Sequence, residues 1–456
     1  MRGDGRMITD EKLKGTLDML SPVIGTDTAR GLWLRYLMAK TPEKKELIRR
    51  KISMLGESLL NLFEDKILLP PPPPEKTSGE IKIGKVTYNN KQLQDFSIEK
   101  NDLIRHVAVF GKTGSGKTNV AFHMVKQLME QGIPFMIFDW KRNFRDLLKL
   151  PEFKGKIKFY TVGREILPFK FNPKIPPKNC DQEAYQKKLL EIIEWAYFLG
   201  HGAHDILMEI YDKGNFSEML EWIKKQNRRG REMLWKDSSK RTLNAINFGA
   251  FGRMFNNPSP FNMKKLFKQN IVLELDGLSE TDKCFFIGAI LLWNSEFRRA
   301  QPEREILKHV FLIDEAHHIF RKKPETKQED ITDIIFREIR EYGESIIILD
   351  QHAHKTSTQA LGNTNTRIAL QTDLDRDRKA LAGCMLLKRD QEEWLGKLQI
   401  GEGIVKTGNT KNPFLIKIPK FKITKGTVTD YDLYREFNKS KQFKNPPTPE
   451  VNGQDR

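Results

Sequence analysis

Between the apolar run HVAVF (His106–Phe110) and the amphipathic stretch NVAFHMVKQLMEQG (Asn119–Gly132) the chain places GKTGSGKTN, residues 111–119. A strand, a glycine-rich loop and a helix in that order allow few folds. The strand must lie in a sheet whose far side is covered by the helix, and the loop must turn tightly at the sheet's carboxyl edge. Gly111, Gly114 and Gly116 permit backbone angles at which successive amides converge on one anion. Lys112, Thr113 and Ser115 fill the loop between them, and the following helix start adds positive potential. The pattern predicts a nucleotide triphosphate site, with Lys117 on the outer phosphates, Thr118 ligating Mg2+ and Asn119 completing the loop.

The rest of the chain supplies the sheet. VAVF, FMIF, IKFYTV, IVLEL, VFLI and SIIIL are short, β-rich and separated by helical stretches, as strands of a parallel sheet covered on both faces must be. The fold class expected is α/β, a RecA-like nucleotide-binding core with a mainly parallel sheet. Residues 1–69 read as a helical segment: Thr41-Pro42-Glu43 is a helix start, and Ile48, Ile52, Leu55, Leu59 and Leu62 form an apolar stripe behind it. Five successive prolines then make residues 70–79 a stiff extended linker. The core spans 80–430, interrupted at about 181–268 by a helical insertion, and 431–456 read as a partly disordered tail.

Two further strand ends carry chemistry. HVFLIDEAHH ends an apolar strand in Asp314 and Glu315: the first suits Mg2+ held through water, the second a base that polarises a water molecule. His317 and His318 follow without a third ligand at a suggestive spacing, and read as supporting or surface groups. SIIIL ends in Asp350-Gln351, and the Gln351 amide can sense the terminal phosphate or orient water. DEAH is shared with two-lobed helicases, but no second lobe with its own arginine motif follows. No NKxD segment for reading guanine is present.

LIRHVAVFGKTGSGKTN, FMIFDWK, LIDEAHH, REIREYGES and NTNTRIALQ, in that order, resemble the HerA/FtsK superfamily of ring-forming ATPases, and within it the HerA branch, which includes conjugation-type DNA-transfer ATPases. The likeness runs from about Ile81 to about Pro419. It implies a Mg2+-dependent ATP hydrolase in a homo-oligomeric ring, hexameric in this class, that translocates or unwinds DNA through a central channel. It also implies that Asp139 accompanies the nucleotide, and that Arg340 and Arg105 face a neighbouring copy's phosphates. Arg337, on the same helix face as Arg340, rivals it. A DNA-transfer motor feeding a membrane channel, or an ATP-gated scaffold for a nuclease or defence effector, would use the same site. The small β-barrel that precedes the HerA motor is replaced here by a basic helical segment, which puts a HerA-type nuclease partner in doubt.

The net charge of +18 accords with an anionic partner. Lys224, Lys225, Arg228, Arg229 and Arg231, with Trp235 nearby, are candidate phosphate contacts. Three dispersed cysteines suggest a reduced compartment rather than a disulfide framework. With a charged N-terminus and no long apolar run, a cytoplasmic protein without direct membrane insertion is expected.

Overall fold

The computed structural model describes residues 9–60, 67–324 and 328–437. Its frame is one mixed sheet of β1 (Ile81–Tyr88), β2 (Lys91–Ile98), β3 (Val107–Phe110), β4 (Phe135–Asp139), β5 (Lys158–Thr161), β6 (Ile271–Glu274), β7 (His309–Asp314), β8 (Glu344–Asp350), β9 (Thr366–Ala369), β10 (Glu402–Lys406) and β11 (Phe414–Lys417). In space the order is β2-β1-β11-β10-β9-β3-β8-β7-β4-β6-β5. From β9 to β5 every pairing is parallel. The expected parallel strands are the apolar runs, and β3, β4, β6, β7 and β8 are buried along their whole length. Helices Lys117–Glu130 and Glu280–Arg299 bury apolar side chains into the cores on this sheet.

The other half of the sheet is antiparallel, and the apolar-run reading does not contain it. The β1–β2 hairpin turns at Asn89 and Asn90, with φ of 47° and 60°, the left-handed pair that asparagine tolerates in a two-residue turn. Gly84 lets β1 pass so close to β11 that a side chain there would strike the Lys417 carbonyl.

This hairpin seats the N-terminal segment. Helices Asp10–Ile24, Thr26–Leu37 and Pro42–Leu60 enclose Leu13, Leu17, Leu20, Leu32, Tyr36 and Ile52, and Tyr88 of β1 closes that core. Of the expected apolar stripe, Ile48, Leu55 and Leu59 pack against it with Ile52, and Leu62 lies outside the described residues. The Tyr88 hydroxyl donates to the Met19 carbonyl. The proline segment, expected to be extended throughout, makes a 3-10 turn at Pro74–Lys76 and does not stand free. Gln94 Nε2 donates to the Pro72 carbonyl (2.8 Å), Ser97 N donates to the Thr77 carbonyl (2.8 Å), and Leu69 is buried.

The insertion is helical, with helices Gln182–Tyr197, His201–Glu209, Phe216–Lys224, Arg231–Ile246 and Gly249–Phe255. Its first helix packs on Glu280–Arg299, where Gly288 admits Ile192 and Trp195. The tail read as partly disordered begins in ordered structure. Asp430–Phe437 is a helix whose Leu433 is buried and whose Asp430 pairs with Arg145 (2.6 Å) and Arg164 (3.0 Å). Those arginines, held in turn by Glu274, fix the chain end beside β6. The stretch 439–456, also read as disordered, lies outside the described residues.

At the amino end of the parallel strands His106 is wholly buried with φ 67°. Its Nε2 lies 2.8 Å from the Phe336 carbonyl, while Nδ1 accepts from Ile346 N (3.0 Å), so the neutral ring with hydrogen on Nε2 satisfies both partners. It thereby bolts the helix Ile331–Ile339 to β3 and β8. Burial drives its pKa down to about 4, the Phe336 carbonyl opposes this, and the Arg340 charge adds to it. A depressed folded pKa means that the unfolded chain takes up the proton first. His106 therefore contributes stability that is complete above pH 6.5 and lost as pH falls towards 4. Urea unfolding of wild type across that window should show a loss of about 3 kcal/mol that His106→Gln lacks. Equal pH slopes in the two proteins would refute this account.

Candidate nucleotide site

The phosphate loop hangs from the carboxyl ends of two neighbours of β3. Gly111 N donates to the Asp350 carbonyl (3.1 Å) after β8, and Lys112 N to the Gln371 carbonyl (2.8 Å) after β9. Gly114 (φ 82°) and Gly116 (φ 112°) adopt the left-handed angles that turn amides inward. Gly111 is needed for space: a Cβ there would lie 2.5 Å from Ser115 Oγ and 2.8 Å from Leu370 Cβ. Ser115 Oγ, beside Gly111, is buried without a hydrogen-bond partner among the described residues, an unused donor within the loop. Lys117 Nζ bridges the carbonyls of Gly111 (2.6 Å) and Lys112 (3.1 Å). Burial lowers its pKa, opposed by Glu315, Asp314 and Asp350. Lys112 itself turns outward to Asp373 (2.8 Å).

The acidic pair stands opposite. Glu315 takes a left-handed backbone (φ 52°, ψ 46°), which swings its carboxylate back over the sheet edge. Its Oε1 accepts from Lys141 Nζ (2.5 Å) and from Gln351 Nε2 (2.8 Å). Gln351 Oε1 in turn accepts from the Thr113 hydroxyl (2.7 Å). A continuous chain, Thr113–Gln351–Glu315–Lys141, thus links the phosphate loop to the base position. Asp314 accepts from Asn143 Nδ2 (3.2 Å). Burial, and then the Glu315 charge, push Asp314 up to about 6, while Lys141, Lys117 and Asn143 pull it down. With Thr118 it offers hard oxygen ligands, the donor set that suits Mg2+.

Two expected roles change. Asp139 is buried, and its carboxylate accepts from the amides of Lys141 (3.2 Å), Asn143 (2.9 Å) and Phe144 (3.0 Å). It shapes the turn that presents Lys141 and Asn143 instead of meeting the nucleotide. Asn119 points away from the loop: Nδ2 donates to the Pro419 carbonyl (2.9 Å) and Oδ1 accepts from Phe421 N (2.7 Å). It pins the segment after β11 beside the P-loop helix. Together they bound a cleft of about 680 Å³ lined by Ser115, Gly116, Leu370, Ile400, Ile418 and Phe421, of a size and character to hold a base.

The two histidines, read as supporting or surface groups, have defined partners. Burial alone would raise Asp350, but it is held low by His317, which lies 3.0 Å away through Nδ1, and by backbone amides. Glu315, His317 and Asp350 form one cluster within the nucleotide site. His318 stacks on Trp140 and meets Glu280 (2.6 Å).

Arg105, Arg337 and Arg340 lie elsewhere. Arg105 precedes β3, and Arg337 and Arg340 precede β8, so all three stand at the amino edge of the sheet. Gln351 follows the other end of the seven-residue strand β8, about 20 Å away. Arg337 is paired with Glu329 (2.8 Å). Arg105 and Arg340 are exposed. In the insertion, Arg228 is engaged by Glu209 (2.6 Å) and Glu232 (3.5 Å), and Lys224 by Glu221 (2.6 Å), which leaves Lys225, Arg229 and Arg231 exposed.

Residues 81–292 match the family model "Helicase HerA, central domain". The chain is 26% identical over 386 residues to the DNA double-strand break repair helicase HerA of Sulfolobus acidocaldarius, covering 80% of this chain and 74% of that protein. It is 24% identical over 394 residues to the HerA of Sulfurisphaera tokodaii, with the same coverage. Among solved structures, VirB4 of Thermoanaerobacter pseudethanolicus superposes with a TM-score of 0.59 at 17% identity, covering 76% of this chain and 97% of that one. The plasmid coupling protein TrwB, solved with a non-hydrolysable ATP analogue, gives 0.57 at 11% identity, covering 78% and 93%.

The geometry separates holding a nucleotide from cleaving it. Glu315→Gln keeps the hydrogen bond to Gln351 and leaves the loop untouched. It should bind a fluorescent ATP analogue as wild type does while hydrolysis falls at least about 100-fold. Lys117→Ala should lose both. Hydrolysis undiminished in Glu315→Gln would remove that residue from the base position.

Proposed function

Because this chain is a HerA-like P-loop ATPase, we propose that copies of it assemble into a ring, hexameric as in the class it resembles, which couples ATP hydrolysis to translocation or unwinding of DNA. One observation carries the ring: Arg340 stands the length of β8, and Arg105 the length of β3, from their own phosphate loop, beyond the reach of an arginine side chain. If either arginine meets a transferred phosphoryl group, that group belongs to the next copy.

Within one copy the residues divide the work. Lys117, with its two loop carbonyls exchanged for phosphate oxygens, neutralises the outer phosphates, and Ser115 Oγ and the loop amides fix the rest. Mg2+, held by Thr118 and through water by Asp314, would supply charge neutralisation between the outer phosphates. Glu315, once freed from Lys141, orients and deprotonates the attacking water. Gln351 touches both Glu315 and Thr113, so a change at the phosphates reaches the base position directly.

DNA would run through the ring, met by Lys225, Arg229 and Arg231, the free part of the basic cluster. The exposed Leu37, Met38, Leu47 and Met54 on the N-terminal helices offer an effector such as a nuclease an apolar surface. A DNA partner and free thiols at Cys180, Cys284 and Cys384 go with a cytoplasmic location. Among the described residues no helix is long and apolar enough to cross a membrane.

Arg340→Ala should lower ATPase activity about 1000-fold or more with nucleotide binding intact. Lys117→Ala is inactive for a different reason, since it has an empty pocket but an intact arginine. Mixed with Arg340→Ala, it should restore measurable hydrolysis, because some interfaces then join a sound pocket to a sound finger. An inactive mixture that still forms mixed rings would overturn a role in trans for Arg340. Duplex DNA should stimulate wild-type hydrolysis. Reversing the charge at Arg229 and Arg231 should flatten the dependence of DNA affinity on salt, by about 0.9 in log–log slope for each phosphate that the protein ceases to neutralise.

A further inference from the structure

We propose that His352, His354 and Asp377 form a binding site for a transition-metal dication of the zinc class, separate from the Mg2+ position. The site lies just past the nucleotide cleft. His352 and His354 flank the start of the short turn Ala353–Lys355 that follows Gln351, and Asp377 comes from the first turn of the helix Asp375–Met385. Asp377 is almost fully buried, and its carboxylate faces the pair of imidazoles.

Hydrogen bonding accounts for only half of this arrangement. Asp377 Oδ1 accepts from His354 N (3.0 Å) and lies 2.7 Å from His354 Nδ1. The other oxygen, Oδ2, lies 3.6 Å from His352 Nδ1, too far for a hydrogen bond. That nitrogen is buried and has no hydrogen-bond partner among the described residues. A buried ring nitrogen facing a buried carboxylate oxygen across such a gap is costly as hydrogen bonding but ordinary as coordination. Two ligand atoms each about 2.0–2.1 Å from one tetrahedral ion stand roughly 3.3 Å apart. Three candidate donors, one from each residue, all lie within 4.8 Å of one another. A rotation of His354 away from Oδ1 by less than about 1 Å would bring its nitrogen into the same shell.

The donor types select the ion. Two imidazoles and one carboxylate suit zinc and its neighbours, whereas Mg2+ prefers oxygen and keeps its water. Three protein ligands leave a fourth position open. The ion would lock the residue after Gln351 to a helix of the adjacent layer, and so steady the amide that bridges Thr113 and Glu315.

The test uses full-length protein stripped with a chelator and dialysed into buffer with excess Mg2+ and no nucleotide. Zinc is then titrated against a chromogenic competitor, and Co2+ is substituted to read ligand-field bands in the visible. Wild type should bind about one ion per chain, with Co2+ bands of tetrahedral or five-coordinate intensity. His352→Ala removes one partly exposed ring, and Asp377→Asn keeps an oxygen acceptor for the His354 amide. Each should weaken zinc about 100-fold with an unchanged unfolding temperature before metal is added. Glu315→Gln should bind as wild type does. If Asp377→Asn does not fold, His352→Ala decides alone. The proposal fails if wild type binds no zinc, if His352→Ala binds it undiminished, or if Glu315→Gln abolishes binding, which would place the ion on the Glu315–His317–Asp350 cluster.

Discussion

The parallel seating of β3 between β8 and β9 is the constraint from which the rest follows. Backbone bonds set Phe110 level with Asp350 on one side and with Ala369 on the other. Because the strands run the same way, the residues after their carboxyl ends converge, and the amides of Gly111 and Lys112 are held by the carbonyls that follow those neighbours. The phosphate loop is thus suspended from the sheet. Asp314 and Gln351 arrive at the same edge because β7 and β8 continue the series. One ladder therefore places the anion cradle, the acidic pair and the sensing amide within hydrogen-bond reach of one another.

Charge within that edge is internally compensated. Asp314, Glu315 and Asp350 lie almost out of solvent, a costly arrangement for three carboxylates. Lys117 and Lys141 answer two of them, and His317 with backbone amides answers the third. Lys117 meanwhile closes on loop carbonyls that a phosphate would displace. The free site resembles a lock holding its own substitute key: Lys117 and Lys141 are both already engaged by groups of the same copy. In the proposed reaction, nucleotide entry would exchange these partners for phosphate oxygens, and Glu315 would act as base once released from Lys141.

What can be read from the sequence depends on range. The loop, the acidic pair and Gln351 each sit at the tip of an apolar run, so pattern along the chain locates them. Asp139 is visible by the same logic, but its task is not. Whether a strand-end acid meets a ligand or caps its own turn depends on where the next few amides point. Lys141 and Asn143 stand beside it in the chain, and only the approach of β7 to β4 reveals their part. The β1–β2 hairpin does carry a local signal, Asn89-Asn90 between alternating residues. Apolar-run patterning passes over it because one face of those strands is polar. The helix at Asp430–Phe437 offers the core only Leu433 and the partly buried Phe437, and the ion pairs that complete its attachment come from arginines more than 260 residues upstream in sequence.

β8 is also the element that gives the two edges a common fate. Its seven residues are buried, and it is paired with β7 over Glu344–Leu349 and with β3 over Ile347–Asp350, so that its central residues are held on both sides. At its carboxyl end Gln351 is hydrogen-bonded to Thr113 and Glu315; at its amino end His106 fastens both the strand and the helix leading to Arg340. A shift imposed at the phosphates cannot be absorbed inside such a strand, since sliding it would break parallel ladders to β3 and β7 together. It must move the strand and its neighbours as a body, and carry the exposed arginine with them. In a ring, that arginine is where one copy's nucleotide state would be felt by the next. Coupling between copies of the proposed ring would then need no separate relay, only the rigidity of a central parallel strand.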